Sequence, residues 1–326
     1  MHTSFKALCI LFASVFFIIT NSHYTHAEQL DFSKHETSST IEYSYQWKDK
    51  DDTIQQLNFA LDKRLVGNNY RHFKALRPSL LRMYSIRELK KAIAKLDPRK
   101  GSVKLLPRVE DIEFEISSRD TSWIKQTSQQ LKKVYEQSLK DYLAKELYIE
   151  FDDFRPLADT VTFKPDHVRF ILEQPEPIQP LIEALKQKRP NATPREMASF
   201  LLGWIQTIPY DEMVERATSN GAGFVPPIHL INQNKGDCDS KVTLMAHIMR
   251  QLYPNLRMAI IYLPQHALLG MNISYLQDDK TIQIDGYDYA LLEPVGPALI
   301  GFADAAESSL RYIDSKMYRT ELVKLP

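Results

Sequence analysis

The chain has 326 residues, 44% of them apolar, with 41 basic and 41 acidic side chains. Those proportions suit a folded globular protein with room for one large domain or two ordinary ones. A formal charge of zero supplies no broad field for nucleic acid or an anionic membrane, so neither is expected as a partner.

Residues 1–27 read as a leader. Lys6 supplies the positive start, and Ala7 to Ile19 is an apolar run of 13 residues. Thr25 and Ala27 suit a signal peptidase, with the cut before Glu28. The run is too short for a comfortable span, so no stable membrane anchor is expected after cleavage. A periplasmic or secreted location follows as the expectation. Cleavage removes Lys6 and no acid, leaving 40 basic and 41 acidic residues, a net charge of −1. It also removes Cys9 and leaves Cys238 without an intramolecular partner. Exported compartments are oxidising and their cysteines are usually paired, so a lone one is a candidate reactive thiol.

Residues 28–40 are polar and are expected to be loose. Residues 41–47, IEYSYQW, alternate as a strand does, and 54–70 fit strand or helix. Residues 85–96 carry Ile86, Leu89, Ala92, Ile93 and Leu96 at helical spacing, with Ser85 as a cap. DPRKGS ends that helix. Residues 109–116 alternate as a half-exposed strand. A long helix follows from about Asp120 to Glu146, with an apolar stripe from Trp123 to Leu143. LYIEF (147–151) and DTVTF (159–163) read as strands.

Pro156, Pro165, Pro175, Pro177 and Pro180 then cluster, which predicts a boundary. Residues 28–175 form an N-terminal α+β region of unknown role, and 176–326 a second unit with a C-terminal tail. In that unit, 176–188 read as a helix. Thr193, Pro194 and Glu196 form a capping box with proline at the first helical position. The helix they open repeats Met197, Phe200, Leu201, Trp204, Ile205 and Ile208 on one face. It ends at Pro209-Tyr210. Residues 211–237 are expected to be a long loop. A further helix begins at Cys238, with Val242, Met245, Ile248, Met249 and Leu252 as its buried side, and stops at Pro254. Four strands follow, at 257–263, 266–276, 280–286 and 289–295, as an antiparallel run.

The chemistry concentrates on NKGDCDSK, residues 234–241. A nucleophilic thiol needs help to ionise. A helix N-terminus favours the thiolate, and Cys238 stands at one if Asp237 is the cap. The carboxylates of Asp237 and Asp239 act against it. The thiol also needs a base, usually an imidazole. His247 lies too far along the same helix, whereas His266 opens a strand that can face the helix start. The base needs an acceptor in turn. Asp285 and Glu293 lie on the following strands. Glu293 is preferred because a carboxylate ending an apolar strand is costly unless paired, while Asp285 before Gly286 reads as a turn residue. An oxyanion would need donors. The Cys238 backbone N–H is one candidate. The side chains of Gln206, Asn232, Gln233 and Trp204 are others.

Taken in order, WIQTIPY (204–210), PPIHL (226–230), GDCDSK (236–241), HALLG (266–270) and LLEPVGP (291–297) resemble the transglutaminase-like core, a branch of the papain-like cysteine enzymes. The likeness covers residues 194–302, about a third of the chain. It implies an α+β fold in which a Cys-bearing helix packs on an antiparallel sheet. It also implies a triad of Cys238, His266 and an acid at Glu293, where the family more often has aspartate, with Val295 where threonine is common. The expected activity is attack on amide or peptide bonds, with hydrolysis favoured over transglutamination. Protein or peptide substrates, including cell-envelope peptides, are the expected partners. A catalytically silent binding or scaffold protein of the envelope is the alternative, and an intermolecular disulfide at Cys238 a third. No cofactor or metal is expected, since the acids lack calcium-loop spacing and the histidines lack zinc spacing.

Overall fold

The computed structural model describes residues 27–107, 112–152, 154, 162–213 and 219–325. The expected leader, including Cys9, lies outside the described residues except for Ala27. So do the starts of the strands expected at 109 and 159.

The chain is mixed α+β and its sheets are antiparallel. The first sheet is a meander of β1 (Glu28–Glu36), β2 (Thr40–Lys48) and β3 (Ile54–Asp62). Residues 28–40 are therefore not loose. The β1 strand was hidden in the sequence because it is a mostly exposed edge, specified by its backbone ladder to β2 rather than by an apolar pattern. The ambiguous stretch 54–70 resolves into β3 followed by a short helix, α1 (Lys63–Asn68), capped by Asp62.

Helix α2 (Pro78–Ile93) begins seven residues before Ser85, which is buried and receives a hydrogen bond from Ser138 instead of capping. Its partner α3 (Thr121–Glu146) falls within the expected bounds and is capped by Asp120. Between them lies a hairpin of β4 (Ser102–Pro107) and β5 (Ile112–Ser117). A second hairpin pairs β6 (Tyr148–Phe151) with β7 (Thr162–Pro165), and leads into α4 (His167–Leu172).

A 3-10 turn at Glu176–Ile178 runs into α5 (Gln179–Lys188), and then comes α6 (Pro194–Thr207). The Thr193–Glu196 capping box is formed in both directions. The expected loop at 211–237 contains a helix, α7 (Pro227–Gln233), which Pro226 and Pro227 concealed. Proline at the first turn of a helix is well placed, but in sequence it reads as a breaker.

Helix α8 (Cys238–Leu252) is the centre of the second half, buried from Cys238 to Arg250 except at Asp239. It packs on a five-stranded sheet of order β10-β11-β9-β8-β12. The strands are β8 (Met258–Leu263), β9 (His266–Met271), β10 (Thr281–Ile284), β11 (Tyr287–Leu292) and β12 (Arg319–Val323). Alternation along the central strands sorts their side chains to two faces. Met258, Ile260, Tyr262, Ala267 and Leu269 join the cluster that holds α8. Ala259, Ile261, Leu263 and Leu268 face the other way, toward Leu310 and Ile313 of α9 (Glu307–Asp314). The β12 strand was not foreseen: only Val323 is buried, so its sequence lacks an alternating signature.

One hydrophobic cluster holds residues on both sides of the proline-rich stretch near 175. Tyr43, Tyr45 and Trp47 of β2 and Phe59 of β3 share it with Phe200 and Trp204 of α6. The rings of Trp47 and Phe200 lie 5.4 Å apart, and those of Tyr45 and Trp204 5.1 Å.

Thr193→Ala would remove the cap from α6 and leave its first-turn N–H groups without a side-chain partner. A loss of about 1 kcal/mol is expected, read as a lower urea midpoint with an unchanged slope. An unaltered midpoint would show that the cap does not hold this helix.

Candidate active site

The approach to Cys238 is pinned by close backbone contacts. The Gly236 N–H donates to Pro209 O (3.3 Å), and Gly236 O accepts from Asp211 N (3.2 Å). A Cβ at 236 would lie 2.6 Å from Leu230 Cδ1, so the buried Leu230 side chain would have to shift to admit one. Asp237 then caps α8, its Oδ1 accepting from Ser240 N at 3.0 Å. Ser240 Oγ accepts in turn from Val225 N (2.9 Å), which ties the preceding segment to the helix.

Cys238 therefore occupies the first position of α8, 9% exposed, and is the free cysteine of the described residues. Its backbone N–H has no partner among the described residues, as expected for a helix start. The thiol donates to Asp239 Oδ1 at 3.5 Å and makes no hydrogen bond to His266. Burial, then the charges of Asp239 and Asp237, push the thiol well above its ordinary range. Burial also raises both flanking carboxyls. For Asp239 the Cys238 hydrogen bond, then Lys164 and His266, act in the lowering direction.

The histidine is set by a two-residue turn. Leu263 pairs with His266, so Pro264 and Gln265 alone connect β8 to β9. Gln265 adopts φ 62°, the left-handed position that glycine usually fills in such turns. His266 is thus the first residue of β9, the strand on which α8 packs. Its Nε2 lies 2.7 Å from Glu293 Oε1. Nδ1 is left without a bond among the described residues, available to a thiol or a substrate.

Glu293 is 5% exposed and fully satisfied. Its Oε1 also accepts from Ser309 Oγ (3.3 Å), and its Oε2 accepts from Ala306 N (2.8 Å) at the start of α9. Three donors on one carboxylate offset the cost of burying it. Asp285 is not part of this group. It forms the β10–β11 turn with Gly286, at φ 49° and 80°, where Ile284 pairs with Tyr287. A cavity of about 410 Å³ opens beside His266 and Glu293, lined also by Gly296, Pro297, Ser308 and Tyr312.

Of the four side chains expected as oxyanion donors, Gln206 and Gln233 have their amide N–H groups bonded elsewhere, Trp204 Nε1 is buried without a partner among the described residues, and Asn232 is held through its Oδ1. Gln206 Nε2 donates to the carbonyls of Glu293 and Ile300, both at 2.9 Å, so it braces the acid-bearing loop. Trp204 is wholly buried in the aromatic cluster with Tyr45, Trp47 and Phe59. Asn232 Oδ1 accepts from Tyr43 OH (2.9 Å), joining α7 to the first sheet. Gln233 Nε2 turns to Lys235 O and Met213 Sδ.

Two neighbours of the thiol were not singled out from the sequence. Tyr210 is 53% exposed and bridges Gly236, and its phenol is raised first by burial and then by Cys238 and Asp237. Lys241 is completely buried, and its Nζ donates to Ile208 O. Burial pushes that amine down to about 8, against the opposing pull of Asp237 and Cys238. Tyr210 stands in the motif IPY and Lys241 in GDCDSK, but nothing in a motif says which polar side chain turns inward.

Between about pH 8 and the ordinary lysine value of 10.5, the unfolded chain holds a proton at Lys241 that the folded chain has released. Stability from this residue therefore rises with pH across that window. Lys241→Met should lose the rise, so its urea midpoint relative to the parent should fall from pH 7.5 to pH 10. Parallel midpoint curves would contradict a depressed Lys241.

Neither family models, nor curated proteins, nor solved structures provide a match to this chain.

Proposed function

We propose that the protein is an exported thiol enzyme of papain-like, transglutaminase-like architecture that acts on amide or peptide bonds. The reading is carried by the His266–Glu293 pair at 2.7 Å, at the start of the strand that packs on the Cys238 helix. With Nε2 committed to Glu293, the ring has one nitrogen left, and a base that serves a thiol needs one nitrogen oriented and the other open.

In the proposed reaction His266 Nδ1 takes the Cys238 proton as the sulfur attacks a carbonyl carbon. The carbonyl electron pair moves to oxygen, where the backbone N–H of Cys238 and the phenol of Tyr210 are the candidate donors. Collapse expels the amine with the proton from His266 and leaves a thioester. Water, deprotonated by the same ring, then releases the acid. Hydrolysis is preferred to transfer because no residue marks an amine site. Peptides, those of the cell envelope included, are the proposed substrates. No cofactor is invoked.

The contact from the thiol to Asp239 rather than to His266 favours a second reading, a silent scaffold that keeps the fold without turnover. Iodoacetamide labelling near neutral pH separates the two. Under the enzyme reading Cys238 labels readily. His266→Ala slows labelling, and Glu293→Gln slows it less. Turnover on a peptide substrate should fall by roughly 100-fold or more in His266→Ala, the scale of a lost general base. A Cys238 that resists alkylation, or alkylates equally fast without His266, leaves the scaffold.

A further inference from the structure

Asp239 has two oxygens with different neighbours: Oδ1 meets the Cys238 thiol, and Oδ2 faces the ring of His167. His167 is the first residue of α4, is wholly buried, and packs on Phe224 with ring centres 4.7 Å apart. Its Nδ1 lies 2.9 Å from Tyr262 OH. The Tyr262 hydroxyl donates to Glu321 Oε2 (2.8 Å), which also accepts from Lys164 Nζ (2.6 Å). A hydroxyl whose proton is directed to Glu321 can only accept from the ring. Nδ1 therefore carries the hydrogen, and the Nε2 lone pair points away from Tyr262. That Nε2 is buried, has no hydrogen-bond partner, and stands 3.9 Å from Asp239 Oδ2.

The His167 ring is closed off from solvent while the Asp239 side chain keeps 32% exposure. On the closed side a lone pair facing a carboxylate is unfavourable, and a single proton between them removes the conflict. We propose that Asp239 and His167 share one proton, and that this proton cancels the carboxylate charge beside Cys238 so that the thiolate can form. The proton comes from solvent and stays on the pair throughout. Whether it rests on oxygen or nitrogen, the pair is neutral overall. His266 remains the group that takes the thiol proton. His167 is a positioning residue: it faces Asp239, not the sulfur.

Other charges bear on the pair. Lys164 acts on both members, and His266 acts on Asp239 from β9. Asp237 and Cys238 adjoin Asp239 on α8, while Glu321 on β12 and Asp166 beside α4 act on Tyr262. Burial, with Lys164 in the same direction, holds the free ring of His167 far below the ordinary histidine range. Burial likewise raises the Asp239 carboxyl. Both trends leave the pair short of charge and are consistent with one shared proton.

The inference rests on reading Cys238 as a nucleophile, and the pH profile of its alkylation tests the two separately. His167→Phe removes the proton's second holder and leaves Asp239 ionised beside the sulfur. The alkylation midpoint should move up by about one unit, an approximately tenfold slower reaction near neutral pH, the scale of one added neighbouring charge. Asp239→Asn, which replaces one neutral group by another, should leave it nearly unchanged, and His167→Phe added to Asp239→Asn should cause no shift. A clear downward move in Asp239→Asn alone would show an ionised carboxylate and overturn the proposal. An unchanged midpoint in folded His167→Phe overturns the proposal. So does an equal shift by His167→Phe in the Asp239→Asn background, which would mark a packing effect. If His167→Phe does not fold, the ring nitrogen-15 shifts of His167 in the parent protein decide: an Nε2 resonance of a lone pair free of hydrogen bonding overturns the shared proton. Loss of the His266→Ala effect would sink the enzyme reading, while loss of the His167→Phe effect alone would sink only this inference.

Discussion

A helix buried on nearly every side has to find partners for its charged and imidazole side chains, and Lys241, His247 and Arg250 of α8 meet backbone carbonyls of neighbouring segments. Lys241 donates to Ile208 O at the end of α6, and His247 Nδ1 lies 2.8 Å from Ile171 O in α4. Arg250 reaches the carbonyls of Pro254, Leu256 and Val323. Each link satisfies two buried groups at once. Together they fix the helix against its neighbouring segments along its length. The position of Cys238 is a consequence of that fixation, because it stands at the end of the helix where unpaired N–H groups remain.

The sheet fixes the other half of the site. His266 begins β9 because the Pro264–Gln265 turn allows no slack, and Glu293 follows β11, paired to β9 through Leu292 and Leu269. Register therefore brings imidazole and carboxylate to one end of the same sheet. Gln206 from α6 and the first turn of α9 then hold the acid-bearing segment through its backbone and its side chain respectively. A Cβ at Gly296 would overlap Gln206 O, so the loop after Glu293 lies directly on the α6 backbone.

Much of this was legible in the sequence, and the reasons differ residue by residue. Cys238, His266 and Glu293 stood out because each begins or ends an element whose apolar pattern is strong. The α6 capping box was legible because it is a local reciprocal bond. The buried polar face of α8 was not: Lys241, His247 and Arg250 lie outside the apolar stripe of this helix, and tertiary carbonyls take them into the core. Edge strands β1 and β12 escaped for the related reason that an edge needs little apolar alternation. Gln206 and Gln233 turn their amide donors elsewhere, since a polar residue near a motif says nothing about which way it points. His167 lies 72 residues from Asp239 with no motif around it, and the fold alone brings its Nε2 to 3.9 Å from Asp239 Oδ2.

The β10–β11 hairpin separates two tasks along one strand. Its Asp285–Gly286 turn is exposed, and β11 runs from there to Glu293. Six strand residues at about 3.3 Å each put the turn roughly 20 Å from the carboxylate. Exposed turns of this kind tolerate inserted sequence well. The hairpin tip is thus a natural attachment point for a fluorophore or an affinity handle, rigidly coupled to the site by the strand yet outside its chemistry.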